Sequence, residues 1–178
     1  AMRTEAALKM SLAGDSPESA AENVRLGMEL LDELVEADDF VLAARLGAVL
    51  QRASANNASQ RPVVQQRLKE IGDLRLAHER FALQHEKLKT APDDPFANLA
   101  VGGYYAFVKN QWEVGLPFLA KGSNTAIKTA VAAERSAPKT SVQLIAAGDA
   151  WWDAAEKESA TAPGRGAMRR HAGAFYST

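Results

Sequence analysis

Apolar side chains recur at intervals of three and four along most of the chain, the spacing that lines up one face of an α-helix. Val24, Met28, Leu31 and Val35, widened by Leu30 and Leu34, predict a helix running to about position 36. Leu42, Leu46, Val49 and Leu50 predict a second over 40–54. A longer stripe of Val64, Leu68, Ile71, Leu74, His78, Phe81, His85 and Leu88 predicts one helix over 60–90, with Gly72 its weakest point. At 1.5 Å per residue that helix spans roughly 45 Å. Further helices are expected at 95–108, 112–121, 124–135, 139–158 and 164–176. No Val/Ile/Thr run alternates with period two, so the expected fold class is all-α.

The polar punctuation agrees with these boundaries. Ser16 before Pro17 and Glu18 has the chemistry of a helix start, with a cap, a proline at the first helical position and an acid just inside. Asp38 or Asp39 caps the second helix, and Ser59 with Pro62 restarts the chain after Asn56-Asn57-Ala58. Ala91-Pro92-Asp93-Asp94-Pro95 is the sharpest break, with Asp94 placed to cap the helix that opens at Pro95. Asn110-Gln111, Gly122-Ser123, Ala137-Pro138 and Ala162-Pro163-Gly164 separate the later helices. Residues 1–15 are weakly patterned and read as a short helix or an ordered arm. The whole, 1–178, is expected to be one all-helical domain: the arm, an N-terminal hairpin plus long helix over 16–90, and C-terminal repeats over 95–178.

Composition narrows the function classes. Hydrophobic residues make up 47% of the chain, too many for a disordered segment. With 21 basic and 22 acidic residues there is no cationic excess, which argues against a nucleic-acid partner. The absence of cysteine excludes disulfides, thiolate metal sites and cysteine nucleophiles. No apolar run approaches the roughly 20 residues of a membrane helix. A soluble protein without membrane insertion is therefore expected. The opening Ala1-Met2-Arg3-Thr4-Glu5 lacks the apolar core of a signal peptide. Ala1 before Met2 reads as a cloning remnant, which leaves room for an export signal upstream and leaves the compartment open.

Two stretches share one signature. Asn98-Leu99-Ala100-Val101-Gly102-Gly103-Tyr104-Tyr105 and Leu144-Ile145-Ala146-Ala147-Gly148-Asp149-Ala150-Trp151-Trp152 each set a glycine after an apolar turn and two aromatics just beyond it. In a helical hairpin a small residue lets two helices approach and an aromatic fills the next gap. Residues 24–57, 95–122 and the stretch from 141 onward resemble tetratricopeptide repeats. The first carries the turn Asp38-Asp39-Phe40 and Ala43 at the contact; the second Val101-Gly102, Tyr105, Asn110-Gln111-Trp112 and Gly115; the third Ala147-Gly148 and Trp151, with a divergent second helix near Ala172, Phe175 and Tyr176. Leu31 stands where the small residue of the first repeat belongs, Pro117 lies inside the second helix of the second, and inserted helices stretch the period beyond the usual ~34 residues.

A broader resemblance rests on Pro92-Asp93-Asp94-Pro95, Trp112-Glu113-Val114-Gly115-Leu116-Pro117, Leu119-Ala120-Lys121-Gly122-Ser123 and Gly148-Asp149-Ala150-Trp151-Trp152-Asp153. Over about 38–176 the chain looks like a tetratricopeptide-like domain found in large, often multidomain proteins of planctomycete-type bacteria. The resemblance implies antiparallel hairpins in a right-handed array with inserted helices, a scaffold role beside other modules, and no catalytic residue. It also implies a chain continuing past the position of Tyr176, with the last helix here either truncated or without its usual partner.

Candidate chemistry is sparse. His78 and His85 are seven apart on one helix, about 10 Å along the axis, too far to share a metal, and read as packing residues. Gly164-Arg165-Gly166 with Arg169, Arg170 and His171 could hold an anion, but no strand or P-loop lysine precedes it and a loop before a basic helix face accounts for it. Asp149, Asp153 and Glu156 beside Trp152 have the residue types of a sugar-hydrolase site, and equally the spacing of a solvated helix face. Trp112, Trp151 and Trp152 read as core, with at least one of the adjacent pair facing outward.

No catalytic, cofactor or metal residue is therefore assigned. The leading expectation is a non-enzymatic interaction or scaffold module that takes a peptide segment or a neighbouring domain on the surface formed by the first helix of each hairpin. Arg25, Asp32 and Glu36 in the first hairpin and Asp149, Trp152 and Asp153 in the last are the expected partner-binding residues, suited to a basic or amphipathic peptide. In the middle hairpin the equivalent positions Phe96, Leu99, Gly103, Ala106 and Phe107 look buried, which suggests the long helix packs across the groove there. A structural spacer is the alternative, and a carbohydrate-active or carbohydrate-binding module is a third reading.

Overall fold

The computed structural model describes residues 17–136 and 140–177, and every described element is helical. Eight α-helices follow in order: α1 (Pro17–Glu36), α2 (Phe40–Ala53), α3 (Gln60–Leu88), α4 (Pro95–Gly103), α5 (Trp112–Lys121), α6 (Thr125–Arg135), α7 (Ser141–Lys157) and α8 (Pro163–Phe175). The all-α expectation holds. Ser16, the arm over 1–15 and the break at Ala137-Pro138 lie outside the described residues. The helix expected over 95–108 changes character part-way: after Gly103 the chain widens into a π-helical turn, Tyr104–Val108, closed by the Lys109 amide donating to the Tyr104 carbonyl at 3.0 Å.

Local chemistry sets the boundaries. Asp39, rather than Asp38, caps α2 by accepting from the Leu42 amide at 3.0 Å, while Asp38 takes a left-handed φ of 57° in the turn. Asn57, not Ser59, caps α3: its side-chain oxygen accepts from the Ser59 and Gln60 amides and from the Ser59 hydroxyl. Asp94 accepts from the Ala97 amide at 2.8 Å, and Lys87 pairs with the same carboxylate. Both contacts hold the Asp94 carboxyl below its ordinary range, Lys87 foremost. Thr140 and Gln143 form a reciprocal capping box at the start of α7.

The chain divides into two compact units, the first ending at Leu76 and the second beginning at Ala77, so α3 starts in one and ends in the other. In the first, α1, α2 and the start of α3 enclose Val24, Leu31, Leu46, Leu50, Val64 and Ile71. The small residue at the α1–α2 contact is Gly27: a Cβ there would fall 2.5 Å from a methyl of Leu50. Leu31, four residues on, is fully buried core.

In the second unit α4 and α5 meet through glycines. A Cβ on Gly115 would stand 2.8 Å from the Gly102 carbonyl oxygen and 2.9 Å from the Ala106 amide nitrogen. A Cβ on Gly102 would stand 2.8 Å from the Leu119 amide nitrogen. These are backbone atoms that cannot swing aside. α7 packs between α6 and α8 through Ala147, Gly148, Ala154 and Ala155, with Trp151 fully enclosed. Of the middle-hairpin residues expected to be buried, Ala106 is, Leu99, Gly103 and Phe107 are half-buried, and Phe96 is exposed. Phe96 sits in the first turn of α4 with nothing of the unit built over it, whereas the later turns receive Phe81 of α3, which stacks on Tyr104 at 4.4 Å.

The glycines separate into two kinds, and substitution tells them apart. Gly115→Ala forces the α4–α5 backbones apart and is expected to lower unfolding free energy by about 1–3 kcal/mol. At Gly72, inside α3, a Cβ would meet nothing within 4 Å. Gly72→Ala is therefore expected to raise stability by about 0.4–1 kcal/mol through the unfolded chain. Urea unfolding of both variants checks the pair; equal effects would mean that Gly115 is not a backbone contact.

Candidate functional site

Helix α7 buries one side and leaves the other bare. At 100° per residue, positions 142, 145, 149, 152, 153 and 156 fall within about 100° of arc. Three of them carry large apolar side chains that remain in water: Val142 is 76% exposed, Ile145 50% and Trp152 43%. Asp149, Asp153 and Glu156 share the stripe and are exposed as well. Scattered surface hydrophobics are ordinary; a row of them on one helix face is the pattern of a contact surface.

The neighbouring helix fixes the polar members. Tyr176, at the end of α8, lies over Gly148 and donates its hydroxyl to Asp149 at 2.8 Å. Burial against α7, the bond to Asp149 and the negative charges of Asp149 and Asp153 push the Tyr176 phenol up to about 12. Arg169 lies 5.2 Å over the Trp152 ring, close enough for a cation–π contact. Arg169 and Arg165 both reach Glu156, Arg169 most strongly, and hold its carboxyl below the ordinary range. Glu156 is thereby neutralised locally, while Asp149 and Asp153 keep the stripe acidic.

The anticipated residues sort by unit. Asp149, Trp152 and Asp153 stand together on α7. Arg25, Asp32 and Glu36 are exposed along α1, but Arg25 is paired with Glu22 and Glu29, and Asp32 with Arg67 of α3 at 2.7 Å. Of the basic residues of α8, Arg165 and Arg169 pair with Glu156 and His171 with Glu134, while Arg170 is exposed. His78 packs against Phe81 and Tyr104, and Phe81 against His85. Among the described residues no three His, Asp or Glu side chains come together as metal ligands, and no helix is long and apolar enough to cross a membrane.

Two features have no precursor in the sequence reading. Glu134, at the end of α6, accepts from the Trp151 indole at 2.7 Å and bonds the His171 ring at 2.9 Å, while His171 lies flat on Trp112 at 3.6 Å between centroids. This half-buried network ties α6, α7 and α8 together and carries Trp112 with it. The other is an apolar cleft of about 330 Å³ between the end of α3, α4 with its π-turn, and the loop entering α8. Only a contact map could have found either, because their members come from segments far apart in the chain. No family model, curated protein or solved structure matches the chain.

The Tyr176–Asp149 bond has a pH signature. Below pH 10 the phenol is protonated in both folded and unfolded chains, so its contribution is complete. Between about 10 and 12 the unfolded chain ionises first, and stability falls as pH rises. Tyrosinate absorbance of the folded protein should show a late-titrating component that Tyr176→Phe removes, and Asp149→Ala should bring that component toward 10. An unchanged late titration in that variant would remove Asp149 as the cause.

Proposed function

We propose that this protein is a non-enzymatic interaction module and that the exposed face of α7 is its docking surface for a basic, amphipathic protein segment. The observation that carries this is the single stripe on which Val142, Ile145 and Trp152 stay in water beside Asp149 and Asp153. An aromatic anchor flanked by acids suits a helix or extended segment presenting apolar residues and Lys or Arg on one side. We read the packing as a helical repeat of the tetratricopeptide type, which suits such a surface. Helices pack chiefly on their sequence neighbours, with glycines at the α1–α2, α4–α5 and α7–α8 contacts, and α7 is the first helix of its pair.

A second reading, a spacer between other modules, draws on the first unit, where Arg25 and Asp32 are already satisfied by Glu22, Glu29 and Arg67. The two make opposite predictions. In the docking reading, a fluorescent peptide with an apolar stripe and flanking lysines binds the protein, and its acidic counterpart does not. Asp149→Lys with Asp153→Lys leaves the protein folded, its melting temperature lowered only by loss of the Tyr176–Asp149 bond, and abolishes binding. Trp152→Ala weakens binding about thirtyfold, as loss of a central aromatic anchor does. Equal anisotropy for both peptides, or binding indifferent to all three substitutions, would overturn the docking surface.

A further inference from the structure

The apolar cleft of the second unit carries chemistry that the docking surface does not use. Its volume, about 330 Å³, lies at the lower end of the range for small-molecule sites. The walls are almost wholly apolar, with Phe81, Tyr104 and Phe107 as aromatic members. The π-turn shapes it: Tyr104 and Phe107 belong to the widened turn, and Phe107 packs so closely on the loop before α8 that a Cβ on Gly164 would meet its ring at 2.7 Å. Such turns recur where a helix is adapted to a ligand.

One charge is fixed in this wall. Glu158, half-buried at the end of α7, receives the Asn124 side-chain amide at 3.0 Å. Asn124 cannot swing away, because its own oxygen caps α6 by accepting from the Ala126 and Ile127 amides. The second carboxylate oxygen of Glu158 has no hydrogen-bond partner among the described residues. The cation in the lining, Arg80, is exposed and has no ion-pair partner among the described residues, so its head group can stay in water while its stem covers the wall. A pinned carboxylate costs less to engage than a mobile guanidinium, because its geometry is set before the ligand arrives.

We infer that this cleft binds a small organic cation, an ammonium carried on an aromatic or short alkyl body, with the body between the apolar walls and the ammonium on Glu158. Aromatic walls favour such a cation as well as its apolar body. The test uses the full chain and three probes of similar shape: 2-phenylethylammonium, 2-phenylethanol and 3-phenylpropanoate. Titration is followed by amide NMR shifts, with Gly103, Asn124 and Gly164 as reporters. The ammonium should shift these amides and bind about tenfold more tightly than the alcohol, the scale of a hydrogen bond to a charged group, with the carboxylate weakest.

Glu158→Gln keeps an acceptor for Asn124 and so should leave the thermal melt unchanged, while removing the preference for the ammonium. Glu113→Gln, on the exposed side of α5, should leave that preference intact. Ala100→Phe, which fills the cleft from α4, should remove binding of all three probes. Tighter binding of the carboxylate, equal binding of ammonium and alcohol, or an ammonium preference that survives Glu158→Gln would overturn the assignment. None of these outcomes bears on the face of α7, so this inference and the docking surface can fail separately.

Discussion

Close approach of helices at small residues is the constraint on which both units depend, against leucine side chains at Gly27 and Gly47 in the first and against backbone at Gly102 and Gly115 in the second. Alanine and glycine occupy a large share of the interior: Ala43 and Gly47 in the first unit, and Ala97, Gly102, Ala106, Gly115, Ala130, Ala147, Gly148, Ala154, Ala155 and Ala172 in the second. Such side chains bury little apolar area each, so stability has to come from dense packing over short interhelical distances. A methyl group added at Gly102 or Gly115 would meet backbone, and no side-chain rotation relieves that. Large residues fill the space between these contacts: Leu31, Leu46, Leu50 and Val64 in the first unit, Leu119, Trp151 and Met168 in the second.

The second unit adds a polar clasp to this packing. Glu134 brings a carboxylate into an aromatic setting and answers it with the Trp151 indole and the His171 ring, both within hydrogen-bonding distance. Removing one partner would leave a half-buried acceptor short of a donor, which costs more than the bond itself contributes. The clasp thus specifies which face of α7 turns inward. With Trp151 held by Glu134, its neighbour Trp152 must lie about 100° round the helix and face water, as it does.

Helix positions, most caps and the core stripes were legible in the sequence because they follow from contacts three or four residues apart. The glycine signature at Gly102 and Gly148 was legible for the same reason: a small residue inside an apolar turn has few uses besides close approach. What failed was local choice between equivalent groups and anything built from distant segments. Asn57 caps the helix expected to restart at Ser59 and Pro62, because its side-chain oxygen reaches forward to the Ser59 and Gln60 amides and the Ser59 hydroxyl. Gly27, rather than a small residue at position 31, makes the first helix contact, a shift of one turn that leaves the same face inward. Phe96 was misplaced because periodicity assigns a face but not whether anything covers it. The partners of Glu134 and the walls of the cleft join segments that no periodic pattern links.

The same economy of packing explains why the outer face of α7 is the part of the surface that asks for an explanation. A helix whose inner side is Ala147, Gly148, Trp151, Ala154 and Ala155 is already fixed by small-residue contacts and one anchored indole. Val142, Ile145 and Trp152 lie outside that core, and the parts of them left in water carry a cost in solubility. Asp149 and Asp153 between them are polar and exposed on the same face. Apolar side chains aligned on one face and interleaved with acids that leave it charged are what the docking surface we propose would use.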